Sequence, residues 1–262
     1  LMNAYGIPQT LLSVREYGGP KVSGDVPALI EDRFSYALQI NEDANIQVPY
    51  ESNDVRTREI RFKPATKTSM GLLSYYNDSV SNEELSIALI HTASYSGSDS
   101  YGRIAIASGT EIASSSFFPL YDGEFWNLRW TTTAAHKQQV KVQKASDYIT
   151  GKVIHSGSTG IITENLFNAT GDLIYIGAKL TGHDSTDKLE DLAELSTGEL
   201  KNFSGSVQEY REWTEIISDD TFNLHTLNPT SYVATSNATA SYDKLHRHLP
   251  LGTDLDAVDL ST

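Results

Sequence analysis

The chain holds 262 residues, with 34 acidic against 20 basic side chains for a formal net charge of −14, 39% hydrophobic residues and no cysteine. The missing cysteines exclude disulfides, thiol redox chemistry and Cys-ligated metals. The scattered, outnumbered cations argue against nucleic acid as a partner, and no run reaches the roughly 18 apolar residues of a membrane helix, so a soluble chain without a membrane partner is expected.

Residues 1–33 contain Gly6-Ile7-Pro8, Gly18-Gly19-Pro20 and Gly24-Asp25-Val26-Pro27. These turn signals are too frequent for a long helix or strand, so the segment reads as an N-terminal arm or linker. The opening Leu1-Met2-Asn3 has no charged region leading into an apolar one, so no signal peptide is expected there, and a start at Leu suggests a fragment or processed chain. Four N-x-S/T triplets, at Asn77, Asn168, Asn202 and Asn237, are expected by chance in a chain rich in Asn, Ser and Thr and are read as unused.

From Phe34 the pattern becomes short apolar alternations separated by Asn, Asp, Gly and Ser clusters, the signature of successive antiparallel strands. Strands are predicted over 36–40, 46–50, 59–63, 71–76, 85–90, 103–107, 125–131, 139–144, 160–162, 173–177 and 205–213. The period of two is clearest where Trp126, Leu128 and Trp130 alternate with Asn127 and Arg129, and where Ile60 and Phe62 alternate with Glu59, Arg61 and Lys63. Such strands without βαβ alternation predict an all-β protein of two stacked antiparallel sheets, a β-sandwich with Phe62, Trp126, Leu128, Trp130 and Trp213 as core anchors.

Residues 181–200 differ, because acidic residues crowd there while Leu189, Leu192 and Leu195 recur every three positions; a short surface helix or acidic loop is expected. Ser218 can cap a brief helix through Leu224, with Asp219 and Asp220 suited to its positive end and Asn228-Pro229 stopping it.

The ordered motifs resemble the laminin-G-like, concanavalin A-like jelly-roll family of lectins, pentraxins and modular binding domains. The similar elements are Tyr36-Ala37-Leu38-Gln39-Ile40, Ile46-Gln47-Val48-Pro49, Arg58 to Pro64 and Gly71-Leu72-Leu73-Ser74. They continue with Asp122-Gly123-Glu124-Phe125-Trp126-Asn127, which is like the family's D-G-x-W-H turn and strand, then Val140 to Lys144, Ile174 to Ala178 and Phe203 to Trp213. Asn127 stands where that family usually has His, and Glu212 where it has an apolar residue. Val207, Tyr210 and Trp213 are spaced as in a helix, but Gly205 and the turn before it favour a bulged strand. The resemblance implies a jelly-roll domain over 34–217, followed by a short helix and C-terminal connecting arm over 218–262. Within that arm, His225 to Tyr232 and Tyr242 to Leu255 are similar to segments that join jelly-roll modules in bacteriophage structural proteins.

Some retaining glycosidases of this fold carry Glu-x-Asp on one strand, but no Glu here has Asp two residues on. Glu209 and Glu212 differ by three and would face opposite sides of a regular strand, where a solvated face is the simpler reading. None of seven histidines forms an H-E-x-x-H pair, and no G-x-S-x-G elbow exists. His246 and His248 could chelate an ion from one strand face, although a short surface strand accounts for them. Asp172, Asp184 and Asp187 are oxygen donors that would suit Ca²⁺, the one metal weighed, against a plain acidic loop; no other cofactor is expected. Tyr95 and Tyr101, with Asp99 in the loop between Ser94 and Gly102, are the candidates for stacking on a sugar.

These features lead to an expectation of a non-enzymatic structural or attachment module of a virion, in a phage capsid or tail, working through contacts with other virion proteins or copies of itself. A glycan-binding adhesin domain is the alternative, with surface glycans as partner, and a polysaccharide-cleaving enzyme the third.

Overall fold

A computed structural model of the protein describes residues 37–50, 55–76, 84–145, 153–163, 173–194, 196, 198–236 and 243–252. The arm at 1–33 lies outside them. Among these residues fifteen strands form two sheets. The first sheet joins β1 (Leu38–Ile40), β14 (Gly205–Trp213), β3 (Thr57–Pro64), β8 (Trp126–Thr132), β9 (Lys137–Ala145) and β10 (Val153–Ser158) in that order, with β11 (Ile162–Thr163) on β9 and β15 (Leu245–Leu249) on β14. The second joins β2 (Ile46–Pro49), β12 (Leu173–Ile176), β4 (Met70–Tyr76), β5 (Glu84–His91), β6 (Gly102–Ser108) and β7 (Glu111–Ser114), with β13 (Lys201–Asn202) on β4. All pairings are antiparallel except β13 with β4.

The sheets face each other across one apolar layer. Ile60, Phe62, Trp126, Leu128, Trp130, Val140 and Val142 meet Leu73, Tyr75, Ile87, Leu89, Ile104, Ile106 and Ile174. This is the alternation read from the sequence, and the anchors Phe62, Trp126, Leu128 and Trp130 are all buried within it. The turn before β8 follows from its residues too: Gly123 takes φ +84°, while Asp122 Oδ1 accepts from the Glu124 backbone N–H at 3.0 Å and its Oδ2 pairs with Lys144 at 2.6 Å.

Each sheet also has a covered outer face. Helix α1 (Asp184–Glu194) lays Leu189 and Ala193 on Ala88, Ile90, Ala105 and Ala107 of the second sheet. Its N-terminus is fixed by buried Glu84, which accepts from the Ser185 backbone N–H at 2.5 Å and pairs with His183. Helix α2 (Asp219–Leu227), capped by Ser218, covers the first sheet together with the segment that follows it. Trp213, expected in the central layer, is buried here instead, against Ile217, Phe222 and Ala234. The reason is a bulge in β14: register slips between Gln208 and Arg211, with Glu209 at φ +53°. Beyond the bulge, Tyr210 points into the sandwich and Trp213 away from it.

Within the C-terminal connecting arm expected over 218–262, α2 lies on the first sheet and β15 is part of it. β15 pairs antiparallel with the second half of β14 while β1 pairs with the first half, and the two meet where the Leu38 N–H donates to the Leu251 carbonyl at 2.6 Å. The edge of β14 is thereby covered along its length. Strands β7 and β10 were not foreseen; both lie at sheet edges, and the sequence of β10, Val153-Ile154-His155-Ser156-Gly157-Ser158, has little apolar alternation.

Two outcomes test this architecture. Trp130→Ala removes a buried indole that donates to Gln138 Oε1 at 2.8 Å and supports the Arg58 guanidinium, and should cost on the order of 3 to 5 kcal/mol in a denaturant titration. A loss under about 1 kcal/mol would refute the packing. Limited proteolysis of the isolated chain should leave a resistant core reaching to the region of residue 252; trimming back to Leu224 without loss of the folded core would show that β15 is dispensable.

Candidate functional site

Two groups of residues could carry chemistry, one on a rim loop of the second sheet and one on the outer face of the first. The rim loop joins β5 to β6. It turns tightly because Ser96 and Gly97 both take left-handed backbone angles, φ +54° and +72°. Its base is pinned at three points: the Thr92 N–H donates to the Tyr101 carbonyl at 3.0 Å, the Tyr121 N–H to the Ser100 carbonyl at 3.0 Å, and His91 Nε2 to the Asp99 carbonyl at 2.7 Å. The His91 ring is braced edge-on by buried Tyr121, whose hydroxyl donates to the Thr68 carbonyl; burial pushes that phenol well up, so it stays a donor.

This loop brings Tyr95 and Tyr101 together as expected, with ring centroids 5.2 Å apart, and adds Phe117, stacked under Tyr95 at 4.6 Å. Tyr95 is 45% exposed. Asp99 is at the surface but engaged: its carboxylate pairs with Lys67 at 2.7 Å, which holds it below the usual carboxylate range. The sequence reading missed Phe117 and Arg103, whose guanidinium lies 5.3 Å from the centroid of the Phe117 ring. Phe117 comes from beyond the loop and is brought to it by the antiparallel return of Phe118 beside Gly102, while Arg103 follows the loop directly on β6 and is joined to the group by its contact with Phe117.

The outer face of the first sheet is polar and buried, where a solvated face was expected. Glu59 accepts from Trp213 Nε1 at 3.0 Å and from His225 Nδ1 at 2.9 Å, and the other nitrogen of that ring sits 2.8 Å from the Val233 carbonyl. Glu209 pairs with Arg211 at 2.6 Å and His248 at 2.9 Å. Arg129 donates to the Ile217 carbonyl and to Asp219, both at 2.8 Å, and Gln143 donates to the Phe222 carbonyl at 3.0 Å. Glu59, Arg61, Glu209, Arg211 and His225 share a recess of about 10 Å³, room for about one water and none for a sugar ring. Burial takes the Arg61 guanidinium down to about 10.

Glu212 faces the opposite way, into the sandwich, where it accepts from Tyr210 Oη at 2.8 Å and pairs with Arg58 at 3.5 Å and Arg247 at 3.4 Å. Arg58 in turn lies between the Tyr50 and Trp130 rings. The acid that stands where the family has an apolar residue is thus matched by its own cations. Glu209 and Glu212 do face opposite sides, as the sequence indicated, because the bulge lies at Glu209 and the strand alternates regularly from there to Glu212.

Among the metal candidates, Asp184 and Asp187 lie exposed in the first turn of α1, where they complement its dipole. Asp172 lies outside the described residues. No group of three or more His, Asp or Glu side chains able to hold a metal occurs among the described residues. His246 and His248 sit on β15, where register slips between Arg247 and Leu245 and breaks a common face; His248 is taken by Glu209 and lies 3.3 Å from Tyr232 Oη.

No family model matches the chain, and no curated protein matches it. Its fold is similar to the enzymatically active domain of tailspike protein 2 of bacteriophage CBA120, with a TM-score of 0.50 and 12% identity over 87% of this chain and 31% of that one. It is also similar to the LG1-3 region of the laminin α2 chain, at 0.43 and 13% over 68% and 31%, and to a pentraxin of Limulus polyphemus, at 0.42 and 10% over 80% and 93%. The chain spans about a third of the laminin and tailspike chains. The protein has the concanavalin A-like, laminin-G-like jelly-roll fold.

The Glu59 contacts carry a pH signature. Burial alone would raise its carboxyl, but His225, then Arg211 and Trp213, outweigh this and hold it below its ordinary 4.5. A carboxyl lowered in the folded state stabilises above its unfolded value and loses that contribution as pH falls through the folded one. Stability should therefore drop as pH falls below about 4.5. Glu59→Gln should cost about 3 kcal/mol or more at neutral pH and flatten this acid limb in urea titrations. An unchanged acid slope in the variant would refute the assignment.

Proposed function

We propose that the chain is a virion attachment module that acts by binding, without turnover, and that its rim platform of Tyr95, Tyr101 and Phe117 engages surface glycans. The observation that carries this reading is the exposed, stacked aromatic surface on a pinned loop, set against Glu59, Glu209 and Glu212, which are each engaged elsewhere. Aromatic faces stack on the C–H faces of sugars, and a loop held by backbone hydrogen bonds loses little entropy on binding. Acid catalysis at a glycosidic bond needs two carboxyl groups converging on one open space. Here Glu59 and Glu209 lie beneath α2 in a recess too small for sugar, and Glu212 faces the other side of the sheet.

The virion setting is drawn from the resemblance of the C-terminal segment to phage inter-module segments, and from the tailspike whose fold the chain shares. A second reading, a scaffold working through protein contacts with other virion proteins or with copies of itself, is favoured by the exposed Ile112, Ile154 and Ile161 near the edges of the sheets.

A glycan panel read together with reducing-end release decides between these readings. Binding is expected to at least one glycan, to weaken about tenfold or more in Tyr95→Ala with melting temperature unchanged, and to proceed without release of oligosaccharide. Release that disappears in Glu209→Gln would overturn the non-enzymatic reading, and assembly without binding to any glycan would favour the scaffold.

A further inference from the structure

The rim platform carries a charged group that stacking alone does not use. Arg103 stands on the outward side of β6, whose next inward residues, Ile104 and Ile106, belong to the central layer. Arg58, Arg129, Arg211 and Arg247 each have a carboxylate within ion-pair distance. Arg103 has none among the described residues. Its Nη1 reaches Ser114 Oγ at 3.4 Å, a long contact, and its buried Nε has no hydrogen-bond partner. Partial burial depresses its pKa with no anion acting to raise it. The acid nearest in the loop sequence, Asp99, is already held by Lys67.

Arg103 and Tyr95 both lie against Phe117, so the guanidinium and the exposed tyrosine ring are at most about 10 Å apart. That is within reach of a short oligosaccharide. A guanidinium offers two parallel N–H donors in a plane, which match the two oxygens of a carboxylate, and it is weakly enough hydrated to give up water for such a partner. In a chain of net charge −14 an acidic ligand is repelled in general, so a half-buried arginine without its own acid marks where one would be accepted. From this juxtaposition we infer that the platform selects carboxylated glycans: a pyranose of the ligand stacks on Tyr95 while a carboxylate of the same or the adjoining sugar is gripped by Arg103. This rests on the glycan-binding reading above and adds the class of sugar to it.

The test uses the full chain and matched ligands: oligosaccharides of galacturonate, glucuronate and a sialylated lactose, each as the free acid and as its methyl ester, together with a sulfated galactose oligomer and neutral sugars. The ester keeps the shape and removes the charge. At least one acid should bind about tenfold or more tightly than its ester. Arg103→Gln should bring acid and ester to the same weak affinity, Arg103→Lys should keep part of the preference, and Tyr95→Ala should weaken acid and ester alike. Melting curves for each variant establish that the platform is still folded, and Arg103→Lys keeps the test valid should the glutamine variant misfold. Equal binding of acid and ester, with Tyr95→Ala weakening both, would overturn the carboxylate inference and leave the glycan platform standing. Preference for the sulfated oligomer over every carboxylate would overturn it as well. Binding to no sugar at all, neutral or acidic, would overturn the glycan reading itself.

Discussion

A carboxylate buried on the face of a sheet has to be met by donors, and much of this molecule is arranged around meeting Glu59. The side chain sits in mid-sheet on β3, pointing away from the sandwich, and desolvating it alone would cost several kcal/mol. His225 from α2 and Trp213 from β14 supply the hydrogen bonds, and the His225 ring is stacked on the Trp213 indole at 5.2 Å and 13°. The other ring nitrogen lies 2.8 Å from the Val233 carbonyl, so the ring is held at both ends. The same contact set therefore fixes α2, the turn after it and the bulged end of β14.

That constraint decides which surfaces remain open. The covering layer seals the first sheet with Arg129, Gln143, Arg211 and their partners, while β1 and β15 cover the β14 edge. On the second sheet α1 covers Ala88, Ile90, Ala105 and Ala107. Arg103 stands across from Ile90 where β6 begins, and Phe117 and the 94–101 loop gather at that end.

The sandwich was legible in the sequence because each of its strong strands has one apolar face. Trp126, Leu128 and Trp130 show their direction by alternation alone, and the bulge in β14 was signalled by Gly205 and the three-residue spacing of Val207, Tyr210 and Trp213. The polar faces were not legible. The alternation shows only that Asn127 and Arg129 turn away from the apolar face, because local pattern cannot tell water from a helix that arrives from about ninety residues away, as Asp219 does for Arg129. The C-terminal segment hid its role for the same reason, since Leu245-His246-Arg247-His248-Leu249 lacks a continuous apolar face and becomes a strand only because half of the β14 edge awaits pairing. At the rim, two tyrosines were visible as a local pair, but Phe117 needed the antiparallel return of the chain, and Arg103, though next to the loop in sequence, showed its place only through Phe117.

Selectivity at such a rim follows from stiffness as much as from residue type. A tyrosine on a free loop would collapse onto its own neighbours and offer no fixed face. Here the left-handed pair Ser96 and Gly97 turns the chain, His91 and Tyr121 hold the loop from beneath, and Phe117 supports the Tyr95 ring from the sheet side. Arg103 comes from a paired strand, so its backbone position is set by the β5 ladder, where it lies opposite Ile90, and not by the loop. The spacing between aromatic ring and guanidinium is then a property of the fold, and a ligand whose apolar face and carboxylate match that spacing is favoured over one that offers either alone.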